Sequence, residues 1–150
     1  MATEQIEYEV LVDAPAEIVW EVLTEPEHLA WFGGANADVD LRPGGTIIFH
    51  WQEHGHFLAI VSAVEHPRRV VFRWALVPDA APAPGNSTEV EFTLTAEGGG
   101  TRLRVVESGF AALSGSDADR AGMVAANQQA WTAGFAALSA RAARLATRRG

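Results

Sequence analysis

Ile6, Tyr8, Val10 and Val12 alternate with Glu7, Glu9 and Asp13, the period of two that predicts a strand with one buried face. Pro15 then pre-sets the backbone for a helix start. The following residues, Ala16 to Leu23, place Val19, Leu23 and either Trp20 or Val22 on adjoining faces. Thr24-Glu25-Pro26-Glu27 reads as a capping box opening a second short helix to Phe32, which Gly33-Gly34 stops. From Asp38 to Ser108 the pattern becomes serial hairpins. Five strands are expected, at Thr46 to Gln52, His56 to Val64, Val70 to Ala75, Glu89 to Thr95 and Arg102 to Ser108. Each pair is separated by turn chemistry: Pro43-Gly44-Gly45, His54-Gly55, His66-Pro67, the proline-rich stretch Pro78 to Asn86, and Gly98-Gly99-Gly100. The proline-rich stretch is predicted to be an exposed loop and not a domain boundary.

Ser116-Asp117-Ala118-Asp119 offers a cap with acidic residues in the first turn of a long helix, expected from about 117 to 147. Met123, Asn127, Trp131, Leu138 and Leu145 fall near one stripe with Phe135 beside it, giving one broad apolar face. One strand, two short helices, an antiparallel meander and a long final helix make an α+β protein whose helices gather on one face of the sheet. A twisted sheet wrapped around one helix leaves a concave apolar gap between them. Function is expected there.

Side chains alternate across a strand, so apolar parity marks the gap-facing side. Ile47, Phe49 and Trp51 share that parity, as do Phe72 and Trp74, then Val90, Phe92 and Leu94. In the last strand Leu103 and Val105 are joined on the same parity by Glu107. A carboxylate facing an apolar gap is a candidate acid, base or ligand anchor. The other reading is a strand-end residue paired with an arginine or a backbone N–H.

At 150 residues with 48% apolar composition, the chain is expected to form one domain, 1–150, with one sizeable core. It contains no cysteine, which excludes disulfides and thiolate chemistry. All 11 basic residues are arginine, which excludes a Schiff-base lysine. The net charge of −8 opposes binding to nucleic acid or to an anionic membrane. No apolar run is long enough to insert into a bilayer, and Met1 to Tyr8 lacks the features of an export signal, so a cytoplasmic location is expected. Asn86-Ser87-Thr88 is then a chance glycosylation match. Arg141, Arg144, Arg148 and Arg149 read as cations at a helix C-terminus.

Catalytic machinery is sparse. No G-x-S-x-G elbow is present, and Ser108 has no evident His–Asp partner. The glycine runs at 43–45 and 98–100 lead into strands, whereas a phosphate cradle leads into a helix. His50, His54 and His56 beside Glu53 resemble a metal cluster. However, His54-Gly55 is a predicted turn and His50 lies on the outward parity, so convergence is not expected and no metal is assigned. His28, a single histidine on a short helix, reads as a surface residue. No cofactor is called for.

Several motifs occur in order. These are Val12-Asp13-Ala14-Pro15-Ala16-Glu17-Ile18-Val19-Trp20 with Leu23-Thr24 and Trp31-Phe32, Leu41-Arg42-Pro43-Gly44-Gly45, Pro67-Arg68-Arg69-Val70-Val71-Phe72-Arg73-Trp74, Gly100-Thr101-Arg102-Leu103 with Glu107-Ser108-Gly109-Phe110, and Trp131 with Leu138. Together they resemble the helix-grip superfamily of START domains, polyketide cyclases and birch-pollen-allergen-like proteins. Within it they resemble the branch named after the activator of the ninety-kilodalton heat-shock chaperone ATPase. The resemblance implies a curved antiparallel sheet around a long C-terminal helix. It leaves function open among carriers, cyclases and stress-related proteins.

The expected function is binding of a small hydrophobic ligand, whether aromatic, polyketide-like or lipid. The expected lining is Phe49, Trp51, Phe72, Trp74, Phe92, Val105 and Met123, with Glu107 and Asn127 as polar anchors. One alternative is a cyclase or dehydratase with Glu107 as the candidate catalytic group, although a single acid/base favours binding. The other is a protein-interaction module like the chaperone activator. That activator carries an additional N-terminal domain for which this chain has no room, so a chaperone partner is not expected. A homodimer is compatible with the reading.

Overall fold

The computed structural model describes residues 4–32, 36–51 and 54–149. Their strands form one antiparallel sheet in the order β1-β7-β6-β5-β4-β3-β2. β1 is Gln5–Val12, β2 Asn36–Val39, β3 Thr46–Trp51, β4 Gly55–Glu65, β5 Arg69–Ala75, β6 Ser87–Glu97 and β7 Gly100–Ser108. Consecutive hairpins join β2 to β7, and β1 closes the far edge against β7 in a register running from Gln5↔Ser108 to Val12↔Thr101. The alternation read from the sequence reappears in β7, where Thr101, Leu103, Val105 and Glu107 are buried and their neighbours are not. A bulge in the β4–β5 pairing between Val61 and Ala63 adds local twist to the sheet.

Helix α1, Ala16–Thr24, and a 3₁₀ turn, Pro26–Trp31, connect the two edge strands. Helix α2, Asp117–Arg149, spans about 50 Å at 1.5 Å per residue and packs against β1 and α1. Its start is closed reciprocally: the Asp119 N–H donates to Ser116 Oγ at 3.0 Å, and the Ser116 N–H donates to Asp119 Oδ2 at 3.0 Å. Those bonds, the backbone one first, hold the Asp119 carboxyl below the usual range. Trp131, Phe135, Leu138 and Ala142 form the buried stripe of α2. Gly134 interrupts its side chains because the Trp31 ring lies 3.2 Å from where a Cβ would stand.

Several expectations need correction. The sheet has a seventh strand, β2, whose four residues Asn36, Ala37, Asp38 and Val39 are too few and too polar to show alternation clearly. The second short helix is present as a 3₁₀ helix, Pro26–Trp31, but without the capping box: the Thr24 hydroxyl donates to the Trp20 carbonyl at 2.7 Å, closing α1 instead. The stop at Gly33-Gly34 lies outside the described residues, as do Gln52 and Glu53. His28 is buried and not on the surface, at 7% exposure. Its Nδ1 accepts from Arg141 Nε at 2.8 Å, which leaves Nε2 protonated to donate to Glu21 at 3.1 Å.

Arg149 grips the same Glu21 with two bonds of 2.8 Å, so these two arginines have specific partners beyond the helix terminus. The Arg149 bonds, against the cost of burial, hold the Glu21 carboxyl at about 2, well below its ordinary 4.5. A carboxyl depressed on folding stabilises fully above its unfolded value and loses that contribution as pH falls from about 4.5 to about 2. Arg149→Ala is therefore expected to destabilise the protein at pH 6, with the difference narrowing toward pH 2. Urea denaturation of both proteins across that range measures it.

Candidate functional site

Glu107 is the last inward-facing residue of β7, set between Ile6 of β1 and Val90 of β6. Its side chain is 0% exposed. Oε1 accepts from Trp131 Nε1 at 2.8 Å, and Oε2 accepts from Thr88 Oγ1 at 2.6 Å and Trp74 Nε1 at 3.0 Å. Asn127 Nδ2 reaches both oxygens, at 3.1 and 3.0 Å. Trp74 Nε1 also lies 2.9 Å from Thr88 Oγ1, so the donors touch one another as well as the acid. Every described donor to this carboxyl is neutral. The dipoles of two indoles, an amide and a hydroxyl replace water, and they converge from β5, β6 and α2. Such a fully satisfied polar network fixes all its members in one arrangement.

Two of those members, Trp74 and Asn127, also line a cleft of about 690 Å³ between one end of the sheet and α2. That volume lies within the roughly 300–1,000 Å³ of small-molecule sites. Its aromatic walls are Trp31, Phe32, Trp51, Phe57 and Trp74, faced across the opening by Ala126, Ala130 and Ala133 of α2. Alanines at these positions keep the helix wall low, which is why the cleft stays open. The wall indoles have no free N–H: Trp31 donates to the Val22 carbonyl at 2.9 Å, Trp51 to the Phe32 carbonyl at 3.0 Å, and Trp74 into the Glu107 network. Phe32 stacks on Trp131 at 5.0 Å and on Trp74 at 5.5 Å between centroids, making one continuous aromatic floor. His54 is the one titratable side chain among the described lining residues.

The structure divides the sequence-derived site residues between two places. Trp51, Trp74, Met123 and Asn127 line the open cleft, with Glu107 one hydrogen bond behind its floor. Phe49, Phe72 and Phe92 instead border a separate, much smaller space of about 20 Å³, room for about one water. Val105 is fully buried opposite Phe92. Phe32 borders both spaces and forms the wall between them. Sequence reasoning did not single out Phe32, Phe57, Thr88 or the helix alanines. Thr88 carried a usable signal, since it sits on the inward parity of β6 directly opposite Trp74.

Of the three neighbouring histidines, two meet and the third stands apart. His50 and His56 meet through their Nδ1 atoms on the outer sheet face, where His50 Nε2 also lies 3.0 Å from Asp38, while His54 lines the cleft. Glu21, Glu25 and His28 bring ligand-type atoms within 4.8 Å of one another. Arg149 and His28, however, already occupy both Glu21 oxygens. Among the described residues no helix is long and apolar enough to cross a membrane.

Residues 13–142 match the profile of the family described as Activator of Hsp90 ATPase homolog 1-like protein. Protein MLL2253 from Mesorhizobium loti superposes with a TM-score of 0.74 at 25% identity, over 90% of this chain and 93% of that one. DynU16, from the dynemicin biosynthetic locus, gives 0.72 at 24% identity over 91% of this chain and 46% of its own. The Aha1 dimer from Colwellia psychrerythraea gives 0.71 at 18% identity, over 91% of this chain and 94% of that one. These likenesses show the helix-grip fold, a curved antiparallel sheet with a long C-terminal helix. No curated protein matches the chain in sequence.

Proposed function

Because the chain belongs to the Activator of Hsp90 ATPase homolog 1-like family, built on a fold that houses hydrophobic ligands, we propose that it binds a small, uncharged aromatic molecule in the cleft between Trp74 and α2. One observation carries this reading: the three wall indoles spend their N–H groups inside the protein, so the walls they give the cleft offer apolar ring atoms and no free donor. No described lining residue is an arginine or a carboxylate, so a fatty acid or a phosphate would have His54 alone to set against its lost hydration. Flat apolar rings carry no charge to desolvate and gain van der Waals contact with the aromatic and alanine walls.

Glu107 acts in this account as a positioning residue. It holds the Trp74 ring and the Asn127 amide in place from behind. Ring closure of a polyketide would need an acid or base touching the substrate; the Glu107 carboxyl is shut off beneath the floor, which leaves His54 as the single titratable group among the described lining residues. The geometry therefore favours binding over cyclisation.

The test is to fill the cleft from its exposed wall. Ala130→Trp, on the solvent side of α2, is expected to weaken binding of 2-naphthol at least tenfold by calorimetry while changing stability by no more than about 0.5 kcal/mol. Unchanged affinity in that variant would place the binding elsewhere.

A further inference from the structure

The Asn127 amide has a defined orientation. Glu107 offers only acceptor oxygens to it, so the NH₂ end must face inward, as the contacts of 3.1 and 3.0 Å show. In a planar amide the carbonyl then points the other way. Among the described residues no donor reaches Asn127 Oδ1, yet no buried side-chain oxygen or nitrogen is left without a partner. Oδ1 is therefore open to solvent, on a residue that lines the cleft.

We infer that Asn127 Oδ1 is a fixed hydrogen-bond acceptor in the cleft wall, and that the site selects aromatic molecules carrying a neutral donor, a phenolic hydroxyl or a ring N–H, over equally flat molecules without one. This rests on the binding reading above and narrows its ligand class. The selectivity follows from preorganisation. A free asparagine could rotate to offer either end, whereas Glu107 spends the donor end and commits the amide to accepting. The indoles on the other walls cannot offset a missing acceptor, because they are donors already engaged elsewhere.

The experiment compares 2-naphthol with 2-fluoronaphthalene, similar in size and both uncharged at pH 7, by calorimetric titration of the intact protein. A satisfied hydrogen bond of ordinary strength predicts about three- to tenfold tighter binding of 2-naphthol, even though the fluoro compound is the more hydrophobic. In Asn127→Ala the preference should vanish, with the two probes within twofold of each other. Equal affinities in the wild-type protein, or tighter binding of 2-fluoronaphthalene, would overturn the acceptor role while leaving the cleft as a binding site. Failure of both probes to bind would overturn the binding reading and this inference with it. A preference that persists in Asn127→Ala would assign the acceptor to another residue.

Discussion

Glu107→Gln destabilises the protein by about 2–4 kcal/mol, because the substitution reverses one end of the group on which the Trp74, Thr88, Asn127 and Trp131 donors converge. The glutamine fits the same space, so the cost is not one of packing. Its NH₂ must face either Trp131 Nε1, which is donor-only, or the side of Thr88 and Trp74, where the Thr88 hydroxyl can turn to accept but the Trp74 N–H meets a donor. A buried donor facing a donor loses a bond without regaining water. Removing an unpaired buried charge gives some energy back. Charge-assisted bonds are about twice as strong as neutral ones, however, and several are lost together, so the net sign is destabilising. Equilibrium urea denaturation at pH 7 measures the difference. A cost below about 0.5 kcal/mol would mean that the network contributes nothing net.

Trp131→Ala is expected to cost about 3–5 kcal/mol, the upper range for truncating a buried aromatic side chain. Trp131 is 1% exposed and packs against Phe32, Trp74, Phe92 and Phe135, so no single neighbour can move in to fill its place. The variant also deprives Glu107 Oε1 of its shortest donor. Trp131→Phe separates the two losses: it keeps most of the ring contacts and gives up the N–H, at about 1–2 kcal/mol. Combined with Glu107→Gln, it should cost less than the sum of the two single changes, because the same hydrogen bond cannot be lost twice. Strict additivity in that double-mutant cycle would show that Trp131 and Glu107 do not act through each other.

Much of this arrangement was legible in the order of residues along the chain. Strict alternation in β7 placed Glu107 among inward-facing residues, and the spacing of Met123, Asn127 and Trp131 placed all three along one stripe of α2. What spacing does not carry is where along a 33-residue helix the end of β7 meets it, since that depends on how α2 lies across the sheet. Parity likewise put Phe49, Phe72 and Phe92 on the concave side without saying whether the space before them was open. That is decided by Phe32, at the end of a 3₁₀ turn whose local sequence resembles a helix start, and its ring fills the middle of the gap. The short β2 and the burial of His28 were hidden for a related reason. Both owe their placement to a partner and not to their own pattern, the neighbouring β3 for the strand and the distant Arg141 for the histidine.

The most direct test of the cleft as a neutral aromatic site is an NMR titration of ¹⁵N-labelled protein with 2-naphthol, followed through the indole N–H signals. The account predicts saturable shifts for Trp31, Trp51 and Trp74, which line the cleft. It predicts a stationary signal for Trp20, which lies outside the lining and packs edge-on against His66. Shifts confined to Trp20, or no saturable shift of any indole, would contradict it.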